Sequence, residues 1–275
     1  MLVFGGVVLR ATPVPAQAAP TAPAQGWTFT WTIMSSMQGR AAPAATVTFD
    51  VAVWKGIARV TPRSGQPAAR ALLATMGVIL VSARDSMLTV LDVSRREALI
   101  AASGELSAMG SAAGSMQLTV SDVQSALRRV GAATPMDAYG TTRVILDERY
   151  AMSVRVQEMQ RTLRVSEVSA LDMSADLDSR DPGFRAFFER FLRGLGKPEA
   201  VRAVLRAQLR RVPGGVPVRM RVVTSTVTGG DTARVEATGT MSALQRAAVD
   251  TGTFRVPVGY RITEVRRLLQ PRPRS

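Results

Sequence analysis

The sequence predicts an α+β chain: one curved antiparallel sheet with a helical pair packed on it, and three stretches carry that prediction. The first is Gly214–Val265, where Val216–Val227 and Thr232–Met241 read as strands joined through Thr228-Gly229-Gly230-Asp231. Two adjacent glycines supply the positive φ angles that a tight hairpin turn requires. Val216, Val218, Met220 and Val222 alternate with Pro217, Arg219 and Arg221, which gives one face for a core and one for water. The second is Trp27–Met34, with Trp27, Phe29, Trp31 and Ile33 on one face and Thr28, Thr30 and Thr32 on the other. The third is the segment opened by Asp181-Pro182, an N-cap followed by proline at the first helical position. There Phe184, Phe187, Phe188, Phe191 and Leu192 follow the helical i, i+3, i+4, i+7, i+8 spacing and form an aromatic stripe.

Taken in order, residues 1–25 differ in composition from the rest. Leu2–Leu9 is apolar, and the Ala/Pro-rich continuation contains Ala16-Gln17-Ala18, which suits signal-peptide cleavage after Ala18. Export to the periplasm or the extracellular space is therefore expected. A start upstream of Met1 would supply the basic n-region and the longer apolar stretch that a signal peptide needs. A disordered leader is the other reading of this segment. The domain is expected over 26–266, and 267–275 reads as a disordered basic tail. Val47, Phe49, Val51 and Val53 repeat the alternation of the first strand. Ile57–Thr61, Gly77–Val81, Met87–Asp92 and Glu97–Ala101 then suggest a meander of short strands. Gly104–Ser115 reads as a loop. Ser121-Asp122-Val123-Gln124 has the form of a capping box and predicts a helix with Val123, Ala126, Leu127 and Val130 on one side. Strand character returns at Thr142–Leu146, Ala151–Met159 and Thr162–Met173. The helical insertion spans about 181–212, broken at Gly194–Gly196. Its second helix, Pro198–Val212, turns Val201, Val204, Leu205 and Leu209 inward. Phe254–Tyr260 is expected to be extended and to end in a Pro/Gly turn.

With 275 residues, 46% of them hydrophobic and 20% charged, the chain can bury a real core and has the composition of a globular protein. It has no cysteine and no histidine, which excludes disulfides, thiol nucleophiles, Cys/His zinc sites and histidine-dependent triads. A lipoprotein anchor on cysteine is excluded with them. Neither S-x-x-K nor G-x-S-x-G occurs, and no glycine-rich phosphate loop is present, so no catalytic residue is assigned; the chain is read as non-enzymatic, with a hydrolase kept as a third reading because a missing motif is weak evidence. No cofactor is expected. No stretch after the leader is long and apolar enough to span a bilayer as a helix.

Three groups of residues are candidates for function. The stripe Phe184, Phe187, Phe188 and Phe191, with Trp27, Phe29 and Trp31, could form a lid over a cavity for an apolar ligand or could simply be core. Asp172, Asp176, Asp178 and Asp181 are carboxylates at short spacing, but the glycine and the distal glutamate of a calcium loop are missing, so no metal is assigned. Arg202, Arg206, Arg210 and Arg211 make a basic helical stripe within a net charge of +14. Contact with a membrane surface or polyanion and a solvated face both fit that stripe. Stacking aromatics are not interleaved with these arginines, which disfavours nucleic acid.

The tryptophan/phenylalanine-led first strand, Trp54–Val60 (WKGIARV), Gly77–Asp92, Gly215–Met220 (GVPVRM) and the closing Phe254–Val265 (FRVPVGYRITEV) together resemble the exported bacterial DUF (domain of unknown function) 4412 family. Members of that family look similar to the LolA/LppX-type lipoprotein-carrier fold. The resemblance covers roughly Trp27–Val265. It implies a half-barrel with helices plugging its concave side, and no catalytic residues. The arginine-rich helical pair departs from that pattern. The expectation is a non-catalytic exported protein that binds a lipid or lipoprotein acyl chain. The rival expectation is an envelope interaction module with a filled core and an arginine-rich contact face.

Overall fold

The computed structural model describes residues 24–38, 45–63, 77–84, 87–102, 116–156, 159–192, 201, 203 and 215–265. Twelve strands are found among them. β1 (Ala24–Gln38), β2 (Ala45–Trp54), β3 (Ile57–Pro62), β4 (Val78–Ser82), β5 (Met87–Asp92) and β6 (Glu97–Ala102) come first. β7 (Met116–Ala132), β8 (Thr142–Val156) and β9 (Met159–Ser174) precede two short helices, α1 (Ala175–Arg180) and α2 (Pro182–Ala186), and a π-helix over Phe187–Leu192. β10 (Val216–Thr228), β11 (Asp231–Val249) and β12 (Arg261–Glu264) complete the chain. All twelve strands form one curved, unclosed sheet in the order β12-β6-β5-β4-β3-β2-β1-β11-β10-β9-β8-β7. Every neighbouring pair is antiparallel except β12 with β6, which is parallel.

The predicted hairpin is present. Gly229 (φ 58°) and Gly230 (φ 100°) turn β10 into β11, with Thr228 opposite Asp231. β1 is central and pairs with β2 on one side and β11 on the other, so the first and last thirds of the chain are joined through it. Ala24 and Gln25, grouped with the leader by composition, belong to β1 and pair with Val249 and Ala248.

Alternation along each strand sorts the two faces. The inner face, on which α2 and the π-helix pack, carries Phe29 and Trp31 of β1, Phe49, Val51 and Val53 of β2, Ala58 and Val60 of β3, Ile79 and Val81 of β4, and Val218 and Met241. The outer face is polar over β1–β3. Over β4–β6 it has its own small cluster of Leu80, Leu91 and Ala98, covered by Val256 and Tyr260. Burial from both sides explains why Val78–Val81 is a continuous apolar run without alternation.

Four sequence expectations are corrected. Ser121–Val130 is not a helix; it lies within β7 and pairs with β8. Register slips at Ser121/Gln124 and Arg129/Gly131, with Asp122 at φ 54°, shift the phase of the strand. Val120 and Val123 therefore share the buried side with Leu127 although they stand three residues apart, while Ala126 and Val130 of the predicted helical face are exposed. A bulged strand can thus imitate helical spacing, and the ladder to β8 decides the outcome. Second, Thr142–Leu146 and the strand beginning near Ala151 are one continuous strand, β8, unbroken by the polar run Asp147–Arg149. Third, the aromatic helix is α-helical only over Pro182–Ala186 and widens to a π-helix from Phe187. Fourth, Phe254–Tyr260 is not one extended piece: Phe254 ends a 3-10 turn, Thr251–Phe254, and lies 5.7 Å from the Trp54 ring. A turn at Gly259 (φ 85°) then leads into β12.

Of the predicted second helix, Val201 and Ala203 are helical, and Val201 packs on Leu146. Arg202, Arg206, Arg210 and Arg211 lie outside the described residues, as do the loop predicted over Gly104–Ser115, the leader up to residue 23 and the tail from residue 266.

Candidate functional site

The aromatic residues singled out in the sequence meet on the inner face of β1 and β2. Asp181 begins the segment as expected: its Oδ1 accepts from the Gly183 N–H at 2.8 Å, and Pro182 occupies the first helical position. Phe184 then stacks on Phe29, with centroids 5.7 Å apart and planes 22° apart, and meets Trp27 edge-on at 6.0 Å. Phe187 sits edge-on to Phe29 at 5.4 Å and to Trp31 at 5.9 Å. Phe191 packs on Phe49 at 5.3 Å and stacks on Phe187 at 5.6 Å. Phe188 turns away from this group to a second cluster with Val144, Leu171 and Met173. A π-turn is an uncommon backbone choice that clusters at functional sites, and here the wider turn accommodates three rings against the sheet.

Phe184, Phe187 and Phe191 are 0%, 1% and 1% exposed, so these rings fill the inner face at this end of the sheet. Trp27 is partly buried, and the Arg246 guanidinium lies over its ring at 5.5 Å. Phe49 completes the group; its place in the alternating strand β2 was the sequence signal for it.

Polar tethers fix the aromatic segment to the sheet. Besides capping α2, Asp181 Oδ1 accepts from the Gly56 N–H at 2.8 Å, at the turn between β2 and β3. The Arg190 guanidinium donates to the carbonyl oxygens of Ser82 and Ala83, at the end of β4. Arg185 pairs with Asp178, and this hydrogen bond holds the guanidinium pKa above its ordinary value.

Over β8–β9 the inner face also holds a buried acidic pair, beside the apolar cluster around Phe188, that was not anticipated. Glu148 and Glu167 face each other directly across β8 and β9 and are 2% and 7% exposed. Glu167 accepts from Ser169 Oγ at 3.1 Å and from Thr224 Oγ1 at 3.4 Å. Burial, and then the charges of Glu167 and Glu148, push the Tyr150 hydroxyl up to about 12. Leu146, Glu148 and Tyr150, and Val165, Glu167 and Ser169, occupy alternate positions, but Glu148 and Tyr150 fell between the two strands expected there.

The four aspartates do not converge. Asp172 is held bidentately by Arg143 at 2.7 and 2.9 Å, Asp178 by Arg185, and Asp181 by two backbone N–H groups. Asp176 lies in the first turn of α1.

No family model matches the chain, which leaves DUF4412 a resemblance, and no curated protein matches it either. Among solved structures, a LolA superfamily protein from Nitrosomonas europaea aligns over 84% of this chain and 90% of its own, at 9% identity and a TM-score of 0.31. A TM-score that low assigns neither a family nor a ligand; the open, curved sheet stands on the strand pairing itself.

Proposed function

We propose that this chain is a non-catalytic exported protein that binds a hydrophobic or amphipathic ligand, such as a lipid or a lipoprotein acyl chain, on the inner face of a LolA-like half-barrel. One observation carries the reading. The rings that fill the inner face, Phe184, Phe187 and Phe191, sit on a short α/π segment that is not a strand of the sheet and is held to it by their own packing and by a few polar tethers. The ligand's apolar part would take the place of these rings against Trp27, Phe29, Trp31 and Phe49. At about 25 cal/mol per Å² of apolar surface removed from water, an acyl chain seated there binds usefully without polar chemistry. The sheet itself is open, ending at β12 and β7, so displacement of the segment does not require breaking a closed barrel.

The test is native mass spectrometry of the mature protein from a bacterial envelope, with and without incubation in lipid extract, alongside Phe187→Ala/Phe188→Ala. A lipid-range mass that is released on denaturation, and whose retention changes in the double variant, supports the carrier. The near-zero exposure of the three rings favours a second reading, an envelope interaction module with a permanently filled core. A clean apo mass before and after lipid, with the double variant merely less stable, selects that module. Its binding to an anionic surface or acidic partner would weaken steeply as salt rises. Export is tested separately, by sequencing the N-terminus of the secreted chain for cleavage after Ala18.

A further inference from the structure

We propose a binding groove for an anionic group, a phosphate or a carboxylate, centred on Arg59 on the outer face of the sheet. The groove has a volume of about 340 Å³ and is lined by Thr28 and Thr30 of β1, Arg59 and Thr61 of β3, and Gln245 of β11. Strand register places these side chains together: Arg59 is opposite Ala52, Ala52 is opposite Thr28, and Thr28 is opposite Gln245. One row along, Thr61 is opposite Asp50 and Asp50 opposite Thr30. A β-bulge forms one wall. The β1–β11 register slips between Thr28 and Thr30, where Ala243 takes φ 52°, an unusual angle for a residue with a Cβ.

Two observations point to a ligand and not to a solvated polar surface. The first is that Arg59 Nε is buried and has no hydrogen-bond partner among the described residues. A guanidinium N–H taken from water without an acceptor is costly, and an oxygen anion seated in the groove would supply that acceptor with a charge-assisted hydrogen bond. The second is that the carboxylate lining the groove, Asp50, is already committed. Both Asp50 oxygens are turned to Arg63, with Oδ2 accepting from Nε at 2.8 Å and Oδ1 2.7 Å from Nη2. That pair is electrically neutral, which leaves Arg59 as the uncompensated charge of the groove, surrounded by three threonine hydroxyls and an amide that can donate to the remaining anion oxygens. The groove lies on the face opposite the aromatic segment, so it stands or falls independently of the carrier reading.

The full chain is titrated with inorganic phosphate by calorimetry, and with phosphatidylglycerol against phosphatidylcholine vesicles by flotation. Phosphate binding that Arg59→Gln weakens at least tenfold, at an unchanged melting temperature, supports a soluble anion as the ligand. Binding to phosphatidylglycerol vesicles alone, lost in the same variant, supports the same site with a lipid headgroup as the source. Arg63→Gln supplies a test that does not touch Arg59. Releasing Asp50 lets it neutralise Arg59, so phosphate binding should drop several-fold and return when Asp50→Asn is added. Equal binding by wild type and Arg59→Gln, or binding of neither probe, overturns the proposal.

Discussion

Asp181 holds two parts of the molecule with one oxygen: its Oδ1 accepts from Gly183 N–H in its own helix and from Gly56 N–H, 125 residues earlier in the chain, both at 2.8 Å. Gly56 (φ 82°) follows Lys55 (φ 46°) in the turn joining β2 to β3, a pair of left-handed residues that leaves the Gly56 N–H pointing away from the ladder. Asp181→Ala removes a helix cap and orphans that turn donor. A cap is worth about 1 kcal/mol and an unsatisfied part-buried donor about 1–3 kcal/mol, so the expected loss is about 2–4 kcal/mol in urea unfolding. Hydrogen exchange at Gly56 should accelerate in the variant, and the exchange of β8–β9 amides should not.

Phe187 touches Phe29, Trp31 and Phe191, and is 1% exposed. Phe187→Ala is expected to cost about 3–5 kcal/mol, the range for a deleted core ring, whereas Phe187→Leu should cost markedly less. Trp31 reports on the change. Its ring is fully buried against Phe187, so its emission should shift to the red in Phe187→Ala if water enters the vacated space.

The sequence already shows this half of the fold because its signals are local. Asp181-Pro182 is a cap with a fixed φ, Gly229-Gly230 is a turn that needs positive φ, and the strict alternation of Trp27–Ile33 leaves one choice of inner face. What the sequence hides depends on partners far along the chain. The spacing of Val123, Ala126, Leu127 and Val130 suits a helix, but Val123 and Leu127 also share one face of a strand, and pairing with β8 settles the matter. Glu148 and Glu167 interrupt β8 and β9 in an apolar reading, yet they are buried opposite each other. The parallel addition of β12 to β6 leaves no local trace, since four residues of strand form there only because Val256 and Tyr260 bring the chain across the outer face of β4 and β5.

Tyr150 stands beside that acidic pair, and its hydroxyl is pushed up to about 12, first by burial and then by the charges of Glu167 and Glu148. An unfolded tyrosine ionises near pH 10. Above that pH the unfolded chain releases a proton that the folded chain still holds, so stability should fall as pH rises from about 10 towards 12. Tyr150→Phe should lessen this loss, because it removes the group that ionises only on unfolding. Urea midpoints at pH 9 and pH 11 for the two proteins provide the check. An equal decline in both would place the alkaline sensitivity elsewhere.

At Gly239 in β11, contact with the aromatic side of the core leaves no room for a side chain. It pairs with Ile33 on one side and Met220 on the other, and a Cβ placed there would lie 2.7 Å from Trp31 Cζ2 and 2.8 Å from Met220 Cγ. Met220 is flexible and can move. The Trp31 indole cannot, being fully buried and held edge-on by Phe187. Gly239→Ala is therefore expected to destabilise the protein by about 1–3 kcal/mol through overpacking, against the usual gain from replacing a strand glycine. Adding Trp31→Phe should relieve much of the clash, because the smaller ring lacks the Cζ2 edge. If the two substitutions instead added without coupling in urea unfolding, the strain would not run through Trp31, and the closeness of β11 to the indole would have no energetic consequence.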